Sequence, residues 1–185
     1  MPNRRDPDIG RGHESDQIAA PAGVPSELSD LPWELPHTFL AMDEVSGALE
    51  TAAGVIIPVP YESTTSWGGG TRLGPRAIIE ASRYIELHDQ EFGCEPAAVL
   101  GINTLPALEL TRAGTTPAMV ELRESYGRIA SAVGERFLIM LGGEHSISSA
   151  AVLAQADRHE ERLTVLQMDA HADLRGGYEG TPDSH

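Results

Sequence analysis

Cysteine is almost absent from this 185-residue chain: Cys94 stands alone, so no internal disulfide can form. That usage fits a reducing cytoplasm. Aromatic residues make up only 5% of the chain, and 13 basic residues face 28 acidic ones. The resulting formal charge of -15 argues against nucleic acid or an anionic membrane as partner. It would attract a small cationic substrate, or simply keep an acidic surface solvated. Long apolar runs are also missing. The opening residues contain Arg4 and Arg5 but lead into no signal-peptide core. The run over residues 52–59 is broken by Gly54 and Pro58, well short of a membrane span. The Gly-rich stretch at residues 68–70 belongs to neither a Gly-x-Gly-x-x-Gly nor a Gly-Lys-Ser/Thr pattern, which argues against nucleotide binding.

What is present is an alternation of strands and helices. Residues 1–30 are rich in Pro, Gly, Ser and acid without periodicity, and are expected to form a disordered extension. Residues 31–185 then read as part of one domain; His13 and His37 are expected to be solvated. Residues 54–59 predict a strand. Pro75 suits a first helical position, with Ile78, Ala81 and Ile85 as an apolar stripe. Residues 97–102 predict a short strand. Thr116 and Pro117 predict the cap and start of a helix carrying Leu122, Tyr126, Ile129 and Val133 on its core face. Residues 137–141 predict a buried strand, and Ile147, Ala150, Ala151 and Ala154 the apolar face of the helix that follows. Residues 163–168 predict another buried parallel strand. The pattern implies an α/β fold with a parallel sheet and right-handed crossovers.

The chemistry gathers at two strand ends. The last predicted strand runs into Asp169-x-His171-x-Asp173. Positions i, i+2 and i+4 of an extended segment share a side, so two carboxylates and an imidazole would converge past the carboxyl end of a strand. Ligands bind there in open α/β sheets. Carboxylate with imidazole suits Mn, Zn or Fe(II), whereas a structural zinc site would call for thiolate. The competing explanation is a polar strand end with turn-capping aspartates. The earlier strand ends in Gly142-Gly143-Glu144-His145-Ser146, where a Gly pair permits a tight turn before a helix. A lone His at such a turn is often structural, but adjacent parallel strands would bring His145 to the same sheet edge as the Asp-x-His-x-Asp motif.

Together these two motifs resemble those of the ureohydrolase family, which includes arginase and agmatinase. The stretches at 59–71, 74–82, 86–93 and 178–185 are most similar to prokaryotic agmatinases, and the resemblance runs from about Phe39 to His185. It implies a three-layer α/β/α fold with a mainly parallel sheet, here truncated. It implies a site with two Mn2+ ions when complete: His145 and Asp173 on one ion, His171 on the other, Asp169 bridging, and His185 as proton shuttle. Glu144 and Arg175 are expected to orient those ligands, or to form local ion pairs. The implied reaction is hydrolysis of a guanidino compound by a metal-bridging hydroxide, with agmatine giving putrescine and urea, and with arginine or guanidinobutyrate as alternatives. The implied protein is a cytoplasmic homo-oligomer. The family's later Asp-x-Asp motif is not in this chain, so the chain is expected to be the amino-terminal part of the enzyme, inactive and poorly folded by itself. The alternative is a non-catalytic fragment that keeps a metal-binding or oligomer-interaction role.

Overall fold

A computed structural model describes residues 34–159, 162–178 and 180–182. The expected extension at residues 1–30 and the proposed shuttle His185 lie outside the described residues. The architecture below is that of the unit beginning at Pro36.

Strand β1, Gly54–Val59, is Gly-Val-Ile-Ile-Pro-Val and is buried along nearly its whole length. A strand buried on both faces reads as a continuous apolar run because both of its side-chain rows meet covering layers. Accordingly β1 is central. It pairs in parallel with β2, Ile102–Thr104, on one side and with β3, Phe137–Gly142, on the other. Pro58 is tolerated in this central position because β2 is short. The β1–β2 register ends at Ile56↔Thr104. The carbonyl of Pro58 accepts from Leu108 N–H at 2.9 Å, so the missing proline donor faces the side where the β2 ladder has already ended.

Helix α3, Thr115–Val133, and helix α4, Ile147–Arg158, cover one face of the sheet. Ile57 and Val59 of β1 share a cluster with Ala118, Leu122, Tyr126 and Ala130 of α3 and with Ile147, Ala150 and Ala154 of α4. Arg123 of α3 and Asp157 of α4 close the outer edge of that pair with two bonds of 2.7 and 2.6 Å. Ile56 points the opposite way along β1 and lies outside this cluster. Helix α1, Gly74–Ser82, packs on β1 and β3 and completes the α/β/α arrangement.

Five local expectations are corrected. Residues 137–141 lie in the expected strand, but β3 is half-buried rather than buried, and Phe137 is exposed, because among the described residues only β1 pairs with it. Residues 97–102 are not a strand: Pro96 opens a short helix, α2, Pro96–Leu100, and the strand starts only at Ile102. Proline preorganises a first helical turn, and here that outweighs the apolar run behind it. In α1 the buried positions are Pro75, Ile79 and Ser82, while Ile78 and Ala81 are exposed, and Ile85 lies exposed beyond the helix end. The packed face is thus rotated by about one residue from the expected stripe. Helix α3 begins at Thr115 after Gly114, with no side-chain cap, so Thr116 and Pro117 lie inside its first turn. The last correction matters most. Residues 163–168 are in no strand, and Leu166 and Met168 are 84% and 91% exposed. A strand exists only with a ladder partner, and among the described residues none pairs with this run.

Leu122 is fully buried between α3 and the sheet. Leu122→Ala should cost about 2–5 kcal/mol through lost transfer energy and the cavity left behind. Denaturant unfolding of the variant in the full-length protein checks this, and a change below about 1 kcal/mol would contradict the core assignment.

Candidate metal centre

The loops after β1 and β3 leave adjacent parallel strands at the same, carboxyl end. The ladder that pairs Val59 with Gly142 continues past the strands, since Gly143 N–H donates to Val59 O at 3.2 Å and Glu144 N–H to Tyr61 O at 3.0 Å. The main chains approach so closely that a Cβ on residue 143 would overlap the carbonyl of Tyr61. Only glycine fits there. The turn then delivers His145 to the sheet edge, just before α4.

Nearby, Asp169 and Asp173 approach the same imidazole. His145 Nδ1 lies 3.1 Å from Asp173 Oδ2 and 3.9 Å from Asp169 Oδ2. One donor atom from each of His145, Asp169 and Asp173 falls within 4.8 Å of the others. His171 is not part of this trio. Its ring is 80% exposed, and its Nδ1 lies 3.8 Å from the other oxygen of Asp169, Oδ1. The two carboxylate oxygens of Asp169 therefore face different imidazoles.

The convergence does not come from period-two alternation, as the sequence suggested. Residues 169–171 form a bend in which His171 N–H donates to Asp169 Oδ1 at 2.8 Å. Asp173 has a φ of +50°, a left-handed conformation that Asp tolerates better than most residues. The turn swings Asp173 back toward His145 and leaves His171 outward. Gln167 Nε2 supports it by donating to Asp173 Oδ2 and to the carbonyl of His171, both at 3.1 Å. Sequence reading passed over Gln167, although it interrupts the most apolar part of the 163–168 run.

Glu144 is only 3% exposed. Its Oε2 accepts from the N–H groups of Ser63 and Thr64 at 2.5 and 2.7 Å. Its Oε1 accepts from the hydroxyls of Thr64 and Ser146 at 2.7 and 2.6 Å. Burial favours the neutral acid, but these four donors outweigh it and hold the carboxyl below its ordinary range. Arg175 does not join this group; its guanidinium lies over the Tyr178 ring, 5.0 Å from the centroid. Glu62, also unnoticed in the sequence, closes the Gly-rich loop. Its Oε2 accepts from Gly70 N–H, Thr71 Oγ1 and Arg72 N–H at 2.7, 2.9 and 3.0 Å. Those donors, the Arg72 and Gly70 N–H groups first, hold its carboxyl low. Beside this loop a cavity of about 810 Å³ is lined by Tyr61, Glu62, Ser63, Arg72 and residues 107–112.

An imidazole nitrogen with two carboxylate oxygens, gathered at strand ends under a glycine-built turn, is a donor set for a divalent cation of the Mn, Zn or Fe(II) kind. The model of the arginase family matches residues 52–185. The chain belongs to the arginase family. Among curated relatives it is 36% identical over 152 residues to an N(1)-aminopropylagmatine ureohydrolase of Synechocystis, covering 81% of this chain and 49% of that protein. It is 33% identical over 142 residues to an agmatinase of Bacillus cereus, covering 75% and 46%. The chain thus spans about half the length of the curated relatives it matches. The agmatine ureohydrolase of Thermoplasma volcanium shares the fold, with a TM-score of 0.63 at 24% identity over 87% of this chain and 50% of that one. Proclavaminate amidinohydrolase of Streptomyces clavuligerus superposes with a TM-score of 0.62 at 27% identity over 71% and 43%. The arginase-like parallel α/β fold is therefore shared, and within it this chain holds a His/Asp cluster suited to a metal ion.

Glu62 provides a test by pH. Its folded carboxyl lies below its ordinary value of 4.5, so its support of the loop is fully present above 4.5 and is lost as pH falls through the lower, folded value. The Gly70 and Arg72 amide resonances should shift together in a titration centred below 4.5. The shift should vanish in Glu62→Gln. A midpoint at or above 4.5 would contradict the assigned bonds.

Proposed function

We propose that this chain carries the amino-terminal share of a manganese-dependent ureohydrolase site. Its substrate in this reading is a small cationic guanidino compound: agmatine, which would yield putrescine and urea, or its aminopropyl derivative. The carrying observation is the convergence of His145, Asp169 and Asp173 at the carboxyl edge of an arginase-family sheet. The names of the relatives from Synechocystis and Bacillus cereus support the agmatine type of substrate. The excess of acidic over basic residues supports a cationic substrate. Arginine and guanidinobutyrate are the competing substrates.

His145 and Asp173 would hold one Mn2+ and His171 a second, with Asp169 serving both. The division between the two oxygens of Asp169, one toward each imidazole, suits a shared carboxylate. Bound divalent ions of this kind lower the pKa of water so that hydroxide is available near neutral pH. The residues of this chain then have separate tasks. Asp169 and Asp173 concentrate negative charge where a guanidinium must approach. The turn at 143–146 fixes one imidazole. His185 is assigned proton transfer to the leaving amine, since an imidazole titrates close to neutral pH. Homo-oligomeric assembly and a cytoplasmic location belong to the same reading. Among the described residues no helix is long and apolar enough to cross a membrane.

A second reading is a non-catalytic polypeptide that binds metal or a partner subunit. The exposed apolar side chains of 163–168 favour it, because an uncovered apolar run is an interaction surface. Urea release by the complete reading frame separates the two. With Mn2+, the protein should release urea from agmatine-type substrates in preference to arginine, and Asp169→Ala should remove bound metal and activity together. Full metal content in Asp169→Ala by elemental analysis would defeat the shared-ligand role. Absence of urea from every guanidine tested, in a folded and metal-loaded protein, would favour the second reading.

A further inference from the structure

Glu144 sits next to a proposed metal ligand, yet its carboxylate points into the protein and fastens two loops together. It takes two backbone N–H groups and one hydroxyl from the loop after β1, and one hydroxyl from the start of α4. The same two loops are already joined through their main chains, by Gly143 N–H to Val59 O and Glu144 N–H to Tyr61 O. Ser63, one end of the fastening, also lines the cavity of about 810 Å³ beside the Gly-rich loop. His145 therefore rests on a turn whose position is set by residues 61–64, and residues 60–63 form a wall of that cavity.

We propose that Glu144 is a positioning residue: it locks the 61–64 loop to the 143–146 turn, and so fixes both the imidazole of His145 and the wall of the adjoining cavity. The proposal rests, for its metal readout, on the ureohydrolase reading above. Its structural core stands on the hydrogen bonds alone.

The geometry makes an unusual demand of the conservative variant. In Glu144→Gln the amide oxygen can accept from the Ser63 and Thr64 N–H groups. The amide NH2 can donate to the Thr64 and Ser146 hydroxyls, which are free to rotate into acceptor roles. The lock survives while the charge is lost. In Glu144→Ala all four partners are released. A role through charge predicts that both variants behave alike, whereas a role through the lock predicts that glutamine rescues.

The experiment uses the full-length protein and two measurements: Mn2+ affinity by chelator competition, and amide hydrogen exchange over residues 61–64 and 143–147. Glu144→Ala should bind Mn2+ about 10- to 100-fold more weakly, the range seen when a group that orients a ligand is removed. Exchange should rise in both segments. Glu144→Gln should stay close to wild type in both measurements. Thr64→Val removes a single donor on the loop side and should move both in the direction of Glu144→Ala, by less. It also carries the test if Glu144→Ala fails to fold. Equal losses in the Gln and Ala variants would overturn the proposal, as would unchanged exchange at 61–64 in Glu144→Ala or, if that protein does not fold, in Thr64→Val. Should the wild-type protein bind no Mn2+, the metal reading fails, and the exchange data still decide whether Glu144 is the lock.

Discussion

The contact between the main chains at Gly143 and Tyr61 governs what the sheet edge can do. Two parallel strands end side by side, and their hydrogen-bond ladder runs on for two further steps into the loops. A side chain at residue 143 would collide with the Tyr61 carbonyl, so the approach depends on one glycine. Because it is made by backbone, the spacing between the two loops is set by strand geometry rather than by flexible side chains. His145 inherits that rigidity. A ligand built on the end of a core strand is held more tightly than one on a free loop, and β1 and β3 are the most extensively paired strands of this sheet.

Acidic side chains near the edge divide into two kinds by what satisfies them. Glu62 and Glu144 accept from backbone N–H groups and hydroxyls that converge on them. Such carboxylates are ionised, internally compensated, and structural in effect. Asp169 and Asp173 accept from His171 N–H and Gln167 Nε2 and also turn oxygens toward imidazoles, at 3.1 to 3.9 Å. An imidazole compensates two carboxylates only weakly unless it is protonated, so this cluster favours an added cation, whereas Glu62 and Glu144 do not. The chain places both kinds within one small region, and side-chain chemistry alone does not distinguish them. The positions of the donors do.

This explains which features were legible in the sequence. Strand β1 and helices α3 and α4 were readable because apolar runs and helical spacing coincide with real burial, and β3 was readable as a strand although it is only half-buried. Gly142-Gly143 marked a tight turn, and the neighbouring His145 stands where that turn meets Asp169 and Asp173. Glu144 was singled out through the family resemblance, but its partners Ser63 and Thr64 were not readable, since they lie 81 and 80 residues away in sequence. Glu62 escaped for a related reason: a carboxylate capping a Gly-rich loop leaves no periodic trace. The face of α1 was misjudged by one position because Ile78 and Ile79 are equally apolar, and only the neighbouring sheet chooses between them. The spacing of Asp169, His171 and Asp173 predicted a convergence at this edge by an argument that the structure replaces. A bend and a left-handed aspartate bring two of the three together, where an extended chain would have aligned all three.

The missing strand and the altered motif have one origin. An apolar run specifies strand conformation only through the neighbour that completes its hydrogen bonds, and residues 163–168 have no such neighbour among those described. Without a ladder, nothing enforces alternation into residues 169–173, and local bonds take over. Asp169 captures the His171 N–H, and Gln167 gathers Asp173 and the His171 carbonyl. The two halves of the candidate centre are thus held unequally. His145 is fixed through the sheet, whereas Asp169 and Asp173 are held by a few exposed hydrogen bonds, whose net worth is about 1 kcal/mol each. A cation shared between them would join the loosely held half to the firmly held one.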